Sequence, residues 1–271
     1  MQSDWGETYA PVGRLTTFRY LASLAAGYGF AIDHVDVVTA FLNPHADDPE
    51  LCIEIPKGWD SVNSGAGNIR AGTIIRLNKT LYGLKQAPRL WYKDIDTFLQ
   101  SLSFAQSRAD PNLYIYREGT TLVLLLLYID DISMAYPSNT TVATVVKNIN
   151  AKLTNKYKIT NLGAARQFLR IEITSAVTEN TNSHTISLGQ RAFINSILKR
   201  FHMEDSHGAA MLMKLDLAED CKEKYNSCSP ETHLTASKRV LRFLKSTAHT
   251  AYTSQRRRQY HHRLHRLRLG K

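Results

Sequence analysis

Two adjacent carboxylates interrupt a strongly apolar run. In LVLLLLYIDDISMAY, residues 122–136, eight consecutive apolar or aromatic residues lead into Asp130 and Asp131, and the apolar character resumes at Ile132 and Met134. An ionised carboxylate in low-dielectric surroundings is normally neutralised, paired or bound to a metal. The pair therefore asks for a cation. A third acid, Asp36, follows an alternating, β-branched run in AIDHVDVVTAF. If the strand ending near Asp36 neighbours the hairpin that carries Asp130 and Asp131 at its tip, three carboxylates meet on one patch. An all-oxygen set of this kind selects Mg²⁺, which takes one or two carboxylates and leaves waters and phosphates to complete its octahedron. Two such ions about 3.5 to 4 Å apart form the clamp used in in-line phosphoryl and nucleotidyl transfer. An isolated Asp-Asp at a hairpin tip is more often a solvated turn, so the weight rests on the joint pattern with Asp36.

The elements that must position these acids can be read from periodicity. Leu15, Phe18, Leu21, Ala22, Ala25 and Ala26 recur at helical spacing, with Thr16 or Thr17 as the expected cap and Gly27 or Gly29 as the stop. Strands are expected to end near Asp36 and to lie at LCIEIP and TIIRLN, joined by the Gly, Ser and Asn loop SVNSGAGNIRAGT. Pro88 suits the first turn of a helix continued by Leu90, Trp91, Ile95, Phe98, Leu99 and Leu102. Strands at NLYIYRE and TLVLLLLYI, a return strand at ISMAYP, a helix across TVATVVKNINAKLTNKY, strands at RQFLRIEIT and HTISL and a helix at GQRAFINSILKRF complete the body. THLTASKRVLRFLKST forms an amphipathic helix with a basic face, and no core-forming pattern is evident beyond it. This order predicts an α+β fold, a mainly antiparallel sheet covered by helices on one side.

Composition sets the class. The chain has 271 residues, 43% of them apolar, enough for a substantial core. Of the net charge of +10, seven positive charges (Arg256, Arg257, Arg258, Arg263, Arg266, Arg268 and Lys271) lie in the terminal RRRQYHHRLHRLRLGK, and the rest of the chain carries +3. A mildly basic body with a strongly basic end suits a polyanionic partner, and is also the composition of a disordered or out-of-frame terminus. Cys52, Cys221 and Cys228 give no disulfide framework, and Cys221, Cys228 and His233 fit no standard zinc spacing. The start, MQSDWGETYA, lacks the charged-then-apolar pattern of a signal peptide, and no run approaches the roughly 20 apolar residues of a membrane span.

ETYAPVGRLTTFRYLASLAA, DVVTAFLN, RLNKTLYGLKQAPRLWY, SRADPNLYIY, LLLLYIDDI and NLGAARQFLRIEI stand in the order and at about the spacing of a known group. Over residues 7–204 the chain resembles the reverse transcriptase of copia-type retrotransposons. The resemblance implies a right-hand polymerase with palm and fingers, a partial thumb, two Mg²⁺ ions with Mn²⁺ as a substitute, an RNA template, a DNA primer and deoxynucleoside triphosphates. Carried over position by position, Asp36 and Asp130 are the metal-binding aspartates, Asp131 the third acid, and Val37 lends its backbone carbonyl to the metal. Phe41 resembles the ring that sets a steric gate against a 2′-hydroxyl. Tyr82, Gly83, Lys85 and Gln86 resemble the motif under the incoming nucleotide. Phe168 and Leu169 match the apolar tip of a hairpin that grips the primer, and Arg191, Lys199 and Arg200 would track phosphates from the start of the thumb. By family habit the protein works in cytoplasmic particles before nuclear delivery.

The pattern departs from the family in places. The expectation is a domain over residues 1–204 without the fingers strands that hold the triphosphate, leaving Arg14 and Arg19 as partial substitutes, and residues 205–271 as a degenerate connection remnant ending in a basic tail. No ribonuclease H carboxylate set follows. Pro44 stands where the family continues with Gly and should shift the turn at Asn43. Arg170 replaces a hairpin glycine, a costly change if that position needs a positive φ. Three readings stay open: a working RNA-directed DNA polymerase, an inactive relic that binds nucleic acid non-specifically through its basic segments, and an inert fragment with no stable fold, whose unpaired sheet edges invite aggregation.

Overall fold

In the computed structural model, residues 8–48, 50–59, 70–178, 183–212 and 231–255 are described. The tail from 256 onward, Cys221, Cys228 and most of the loop expected around residues 61–69 lie outside the described residues. The chain divides into two compact units, one of Met1–Leu21 and Phe30–Ala164, the other of Ala22–Gly29 and Ala165–Lys271. Both mix helices with antiparallel strands, an α+β arrangement. No described helix is long and apolar enough to cross a membrane.

The first unit is built on a six-stranded sheet in the order β4-β5-β6-β7-β1-β8, every neighbouring pair antiparallel. Its strands are β1 (Phe30–Val37), β4 (Phe104–Gln106), β5 (Leu113–Glu118), β6 (Thr121–Tyr128), β7 (Asp131–Pro137) and β8 (Ile159–Ala164). Helices α2 (Ala87–Ser101) and α3 (Thr140–Lys156) cover one face. Alternation along the strands explains this. Val35, Val37, Val123, Leu125, Leu127, Ile132, Met134 and Tyr136 all project to the face where Trp91, Ile95 and Leu99 of α2 and Val142, Val146, Ile149 and Leu153 of α3 pack. Helix α2 opens with proline in its first turn, and α3 is capped by Asn139, whose side chain accepts from Val142 N–H at 2.9 Å. Strands β2 (Cys52–Glu54) and β3 (Ile74–Arg76) pair separately as an exposed ribbon.

Helix α1 (Leu15–Tyr28) ends at Gly29, whose φ of +70° stops it, but its start differs from expectation. The cap is not Thr16 or Thr17. Asp110, almost fully buried, accepts from Arg14 N–H at 3.1 Å and from the Thr17 hydroxyl at 2.5 Å, and also from Asn112 N–H at 3.0 Å. Burial pushes this carboxyl up, but the hydrogen bonds from Thr17, Asn112 and Arg14 outweigh it and hold the group below its ordinary range. The preceding Gly13 lies against β6, where a Cβ would stand 2.6 Å from the Leu127 carbonyl oxygen.

The second unit carries a four-stranded sheet in the order β12-β11-β10-β9, formed by β9 (Gln167–Phe168), β10 (Ile171–Thr178), β11 (Ser183–Gly189) and β12 (Tyr252–Gln255), with α4 (Arg191–Arg200) and α5 (Glu231–Thr247). The single strand expected at RQFLRIEIT is a hairpin, and Tyr252–Gln255 is a strand where no core-forming pattern was evident. Leu169 and Arg170 make the hairpin's two-residue turn with φ of 50° and 63°, so the Arg170 position does require the left-handed backbone. The expected shift at Pro44 does not carry Asn43 away from helical geometry. Asn43 keeps φ −82°, ψ −47°, and its side-chain amide donates to the Thr39 and Ala40 carbonyls at 3.1 Å each.

Candidate functional site

Strands β1 and β7 bring distant acids together by register. Asp36 lies directly opposite Asp131, with His34 opposite Ser133 and Ile32 opposite Ala135. Across β7, Tyr128 of β6 faces Asp131, and on the other side of β1 Thr160 of β8 faces Asp36. Tyr128, Asp131, Asp36 and Thr160 therefore form one row over four strands. Because Val35, Val37, Ile132 and Met134 project into the core, Asp36 and Asp131 project from the face opposite α2 and α3.

Asp130 sits in the two-residue turn between β6 and β7, beside this row. Its carbonyl accepts from Val37 N–H at 2.9 Å, which ties the turn to the strand that bears Asp36. Burial first, then the charges of Asp131 and Asp36, push the Asp130 carboxyl above its ordinary range. Ile129, the other turn residue, has a φ of 57°. A left-handed backbone costs an L-residue roughly 1–2 kcal/mol, and a β-branched side chain makes it a genuine outlier. Trp91 N–H donates to the Ile129 carbonyl at 2.7 Å.

Asp131 Oδ1 accepts from His34 Nε2 at 2.8 Å, and since a carboxylate only accepts, this nitrogen carries the proton. His34 is a neighbour that the sequence reading did not single out. Its signal was present, because alternation puts residues 34 and 36 on one face. Among the described residues no group of three His, Cys, Asp or Glu side chains is gathered to hold a metal ion. The backbone brings the three acid positions together, while the Asp131 side chain is turned to His34. The donor set nonetheless suits a hard divalent cation: the acids are all oxygen ligands, and their mutual repulsion on Asp130 is relieved by positive charge.

The other expected residues fall in two groups. Phe41, in the 3-10 turn Ala40–Leu42, packs its ring 5.0 Å from that of the exposed Tyr82, and its carbonyl accepts from the Thr80 hydroxyl. Gly83 has a φ of +97°, a conformation that favours glycine, and Lys85 is exposed. Gln86 is buried just ahead of α2, and its Oε1 has no hydrogen-bond partner among the described residues. In the second unit, Phe168 is 1% exposed, so it is a core ring and not an apolar tip. The turn itself is Leu169 and Arg170, with the Arg170 guanidinium 5.1 Å from the centre of the Phe193 ring. Arg191 bonds His249, while Lys199 and Arg200 are exposed at the end of α4.

Residues 1–214 match the protein family described as "Reverse transcriptase (RNA-dependent DNA polymerase)". The chain is 33% identical over 205 residues to the retrovirus-related Pol polyprotein from transposon TNT 1-94 of Nicotiana tabacum, covering 75% of this chain and 14% of the relative. It is 30% identical over 200 residues to the corresponding polyprotein from transposon RE2 of Arabidopsis thaliana, covering 74% and 13%. A transposon Ty5-1 protein of Saccharomyces cerevisiae is 30% identical over 139 residues, 51% of this chain and 42% of that protein. The chain thus spans only a small part of the length of the plant polyproteins it matches.

Proposed function

Since the chain belongs to the reverse transcriptase (RNA-dependent DNA polymerase) family, we propose that it is the polymerase region of a copia-type transposon polyprotein and performs RNA-directed DNA synthesis. The observation that carries this reading is the register that sets Asp36 opposite Asp131 while Val37 holds the carbonyl of Asp130. The six-stranded sheet is then the palm, the β2–β3 ribbon a part of the fingers, and α4 the start of the thumb.

Asp36, Asp130 and Asp131, with the Val37 carbonyl, would hold two Mg²⁺ ions. A cation bound there supplies the charge that eases loss of the primer 3′-hydroxyl proton and neutralises the departing pyrophosphate. The chain's own groups do the positioning. Burial and the charges of its neighbours push the Asp130 carboxyl above its ordinary range, a shift that positive charge at the site would oppose. His34 steadies Asp131 from the next residue on the same face. Phe41, backed by Tyr82, stands against the sugar and rejects a 2′-hydroxyl. Gly83 allows close backbone approach, Lys85 offers positive charge, and the buried Gln86 carboxamide has an acceptor with no partner among the described residues. Leu169 and Arg170 take the primer-side role expected of the hairpin tip, and Lys199 and Arg200 meet phosphates of the template and primer.

The test is extension of a DNA primer on a homopolymer RNA template with Mg²⁺ or Mn²⁺, beside an Asp130→Asn, Asp131→Asn double variant shown to be folded. Extension by the wild type alone is expected. Equal extension by the variant, or none from folded wild type, would contradict the proposal.

A further inference from the structure

The turn that carries Asp130 is held at an unfavourable backbone conformation, and nothing in its own sequence holds it there. Glycine is the residue for a positive φ at the first position of a two-residue hairpin turn. The chain places Ile129 there, at φ 57°, with its side chain partly exposed. Support comes instead from α2. Trp91 is 2% exposed, and its only polar atom is spent on the Ile129 carbonyl at 2.7 Å. The indole is itself braced by an edge contact with Tyr157, ring centres 5.1 Å apart, and Tyr157 donates its hydroxyl to Asp94 of α2 at 2.8 Å.

The Ile129 carbonyl belongs to the peptide plane that runs through the Asp130 nitrogen to its Cα, and planarity makes that group a rigid lever. The next plane, through the Asp130 carbonyl, is held by Val37 N–H. Asp130 is thus gripped on both sides, by Trp91 before it and by the Asp36 strand after it. We propose that Trp91 is a positioning residue of the polymerase site, fixing the direction of the Asp130 side chain through the Ile129 carbonyl. This rests on the function proposed above, which makes Asp130 a metal ligand.

Trp91→Phe removes the donor and keeps a ring in the core, and adding Ile129→Gly lets the turn take a positive φ without help. Amide hydrogen exchange of Val37, whose N–H is bonded to Asp130, reads the seating of the turn directly. The expected result is that Trp91→Phe speeds Val37 exchange up to about tenfold, the net worth of one hydrogen bond, without changing amides within α3. In primer extension kcat falls while KM for the nucleotide moves less than twofold, and the second substitution restores both Val37 exchange and kcat. Unchanged Val37 exchange would overturn the proposal, as would faster exchange spread equally through α3. A kcat loss that Ile129→Gly fails to rescue would do the same, because a merely structural tryptophan behaves that way. If folded wild type does not extend primers, the polymerase reading fails, and Val37 exchange alone then decides whether Trp91 holds the turn.

Discussion

Replacing Asp110 with alanine should destabilise the first unit more than a typical change outside the apolar core. The side chain is 2% exposed and accepts from three donors, Arg14 N–H, the Thr17 hydroxyl and Asn112 N–H. Asn112 is buried and loses its partner without water to replace it, whereas Arg14 is exposed and Thr17 half-buried, so both recover part of the loss from solvent. One buried donor left unsatisfied costs about 1–3 kcal/mol, and two partly solvated donors add about a quarter as much each, giving roughly 3 kcal/mol. At about 2–4 °C per kcal/mol for a chain of this size, Tm should fall by roughly 6–12 °C. Asp110 also sets a pH dependence. Its folded pKa is depressed, so its contribution is present above the ordinary carboxyl value and is lost as pH falls through the folded one. Urea unfolding of wild type and Asp110→Ala from pH 7 downward should therefore converge in acid. A loss below about 1 kcal/mol at pH 7, or a difference that persists unchanged in acid, would refute this ledger of hydrogen bonds.

Two further substitutions probe the two hairpin turns. The folded pKa of Asp130 is raised, so its contribution is full below the ordinary carboxyl value and lost as pH rises through the raised one. Asp130→Asn should therefore leave stability at pH 7 unchanged or higher, and a fall of more than about 1 kcal/mol in urea unfolding would contradict that. Arg170→Gly should stabilise the second unit by up to about 1 kcal/mol, strain relief at φ 63° being partly offset by the lost contact with Phe193. A lower Tm would mean that the contact outweighs the strain.

Long periodic segments were legible in the sequence. The helix at Leu15–Tyr28, the helix opened by Pro88 and the apolar strand before Asp130 follow from spacing and turn chemistry alone. What escaped depends on partners far along the chain. No strand was expected at Ile159–Ala164, which holds Asn161 and Gly163, residues that strands disfavour; it is a strand because β1 offers it an edge, with an irregularity between His34 and Val35. Tyr252–Gln255 is too short to show a period and exists by pairing with β11. Asp110 lies in a recognisable motif, but nothing local says that its carboxylate reaches Arg14 and Thr17. The acids themselves were visible as chemistry. That Asp36 and Asp131 stand opposite one another is a fact of sheet order, which periodicity does not specify.

The most direct measurement is Mn²⁺ binding to the purified chain, followed by the paramagnetic signal of the free ion, in wild type, Asp36→Asn, Asp130→Asn and the double variant. A shared site predicts that either single change weakens binding about tenfold or more, since even a partner that only hydrogen-bonds a ligand is worth about that much, and that the double variant is little worse than either single. Wild-type affinity in Asp36→Asn, or independent additive losses at the two positions, would contradict the claim that β1 and the β6–β7 turn together build one cation site.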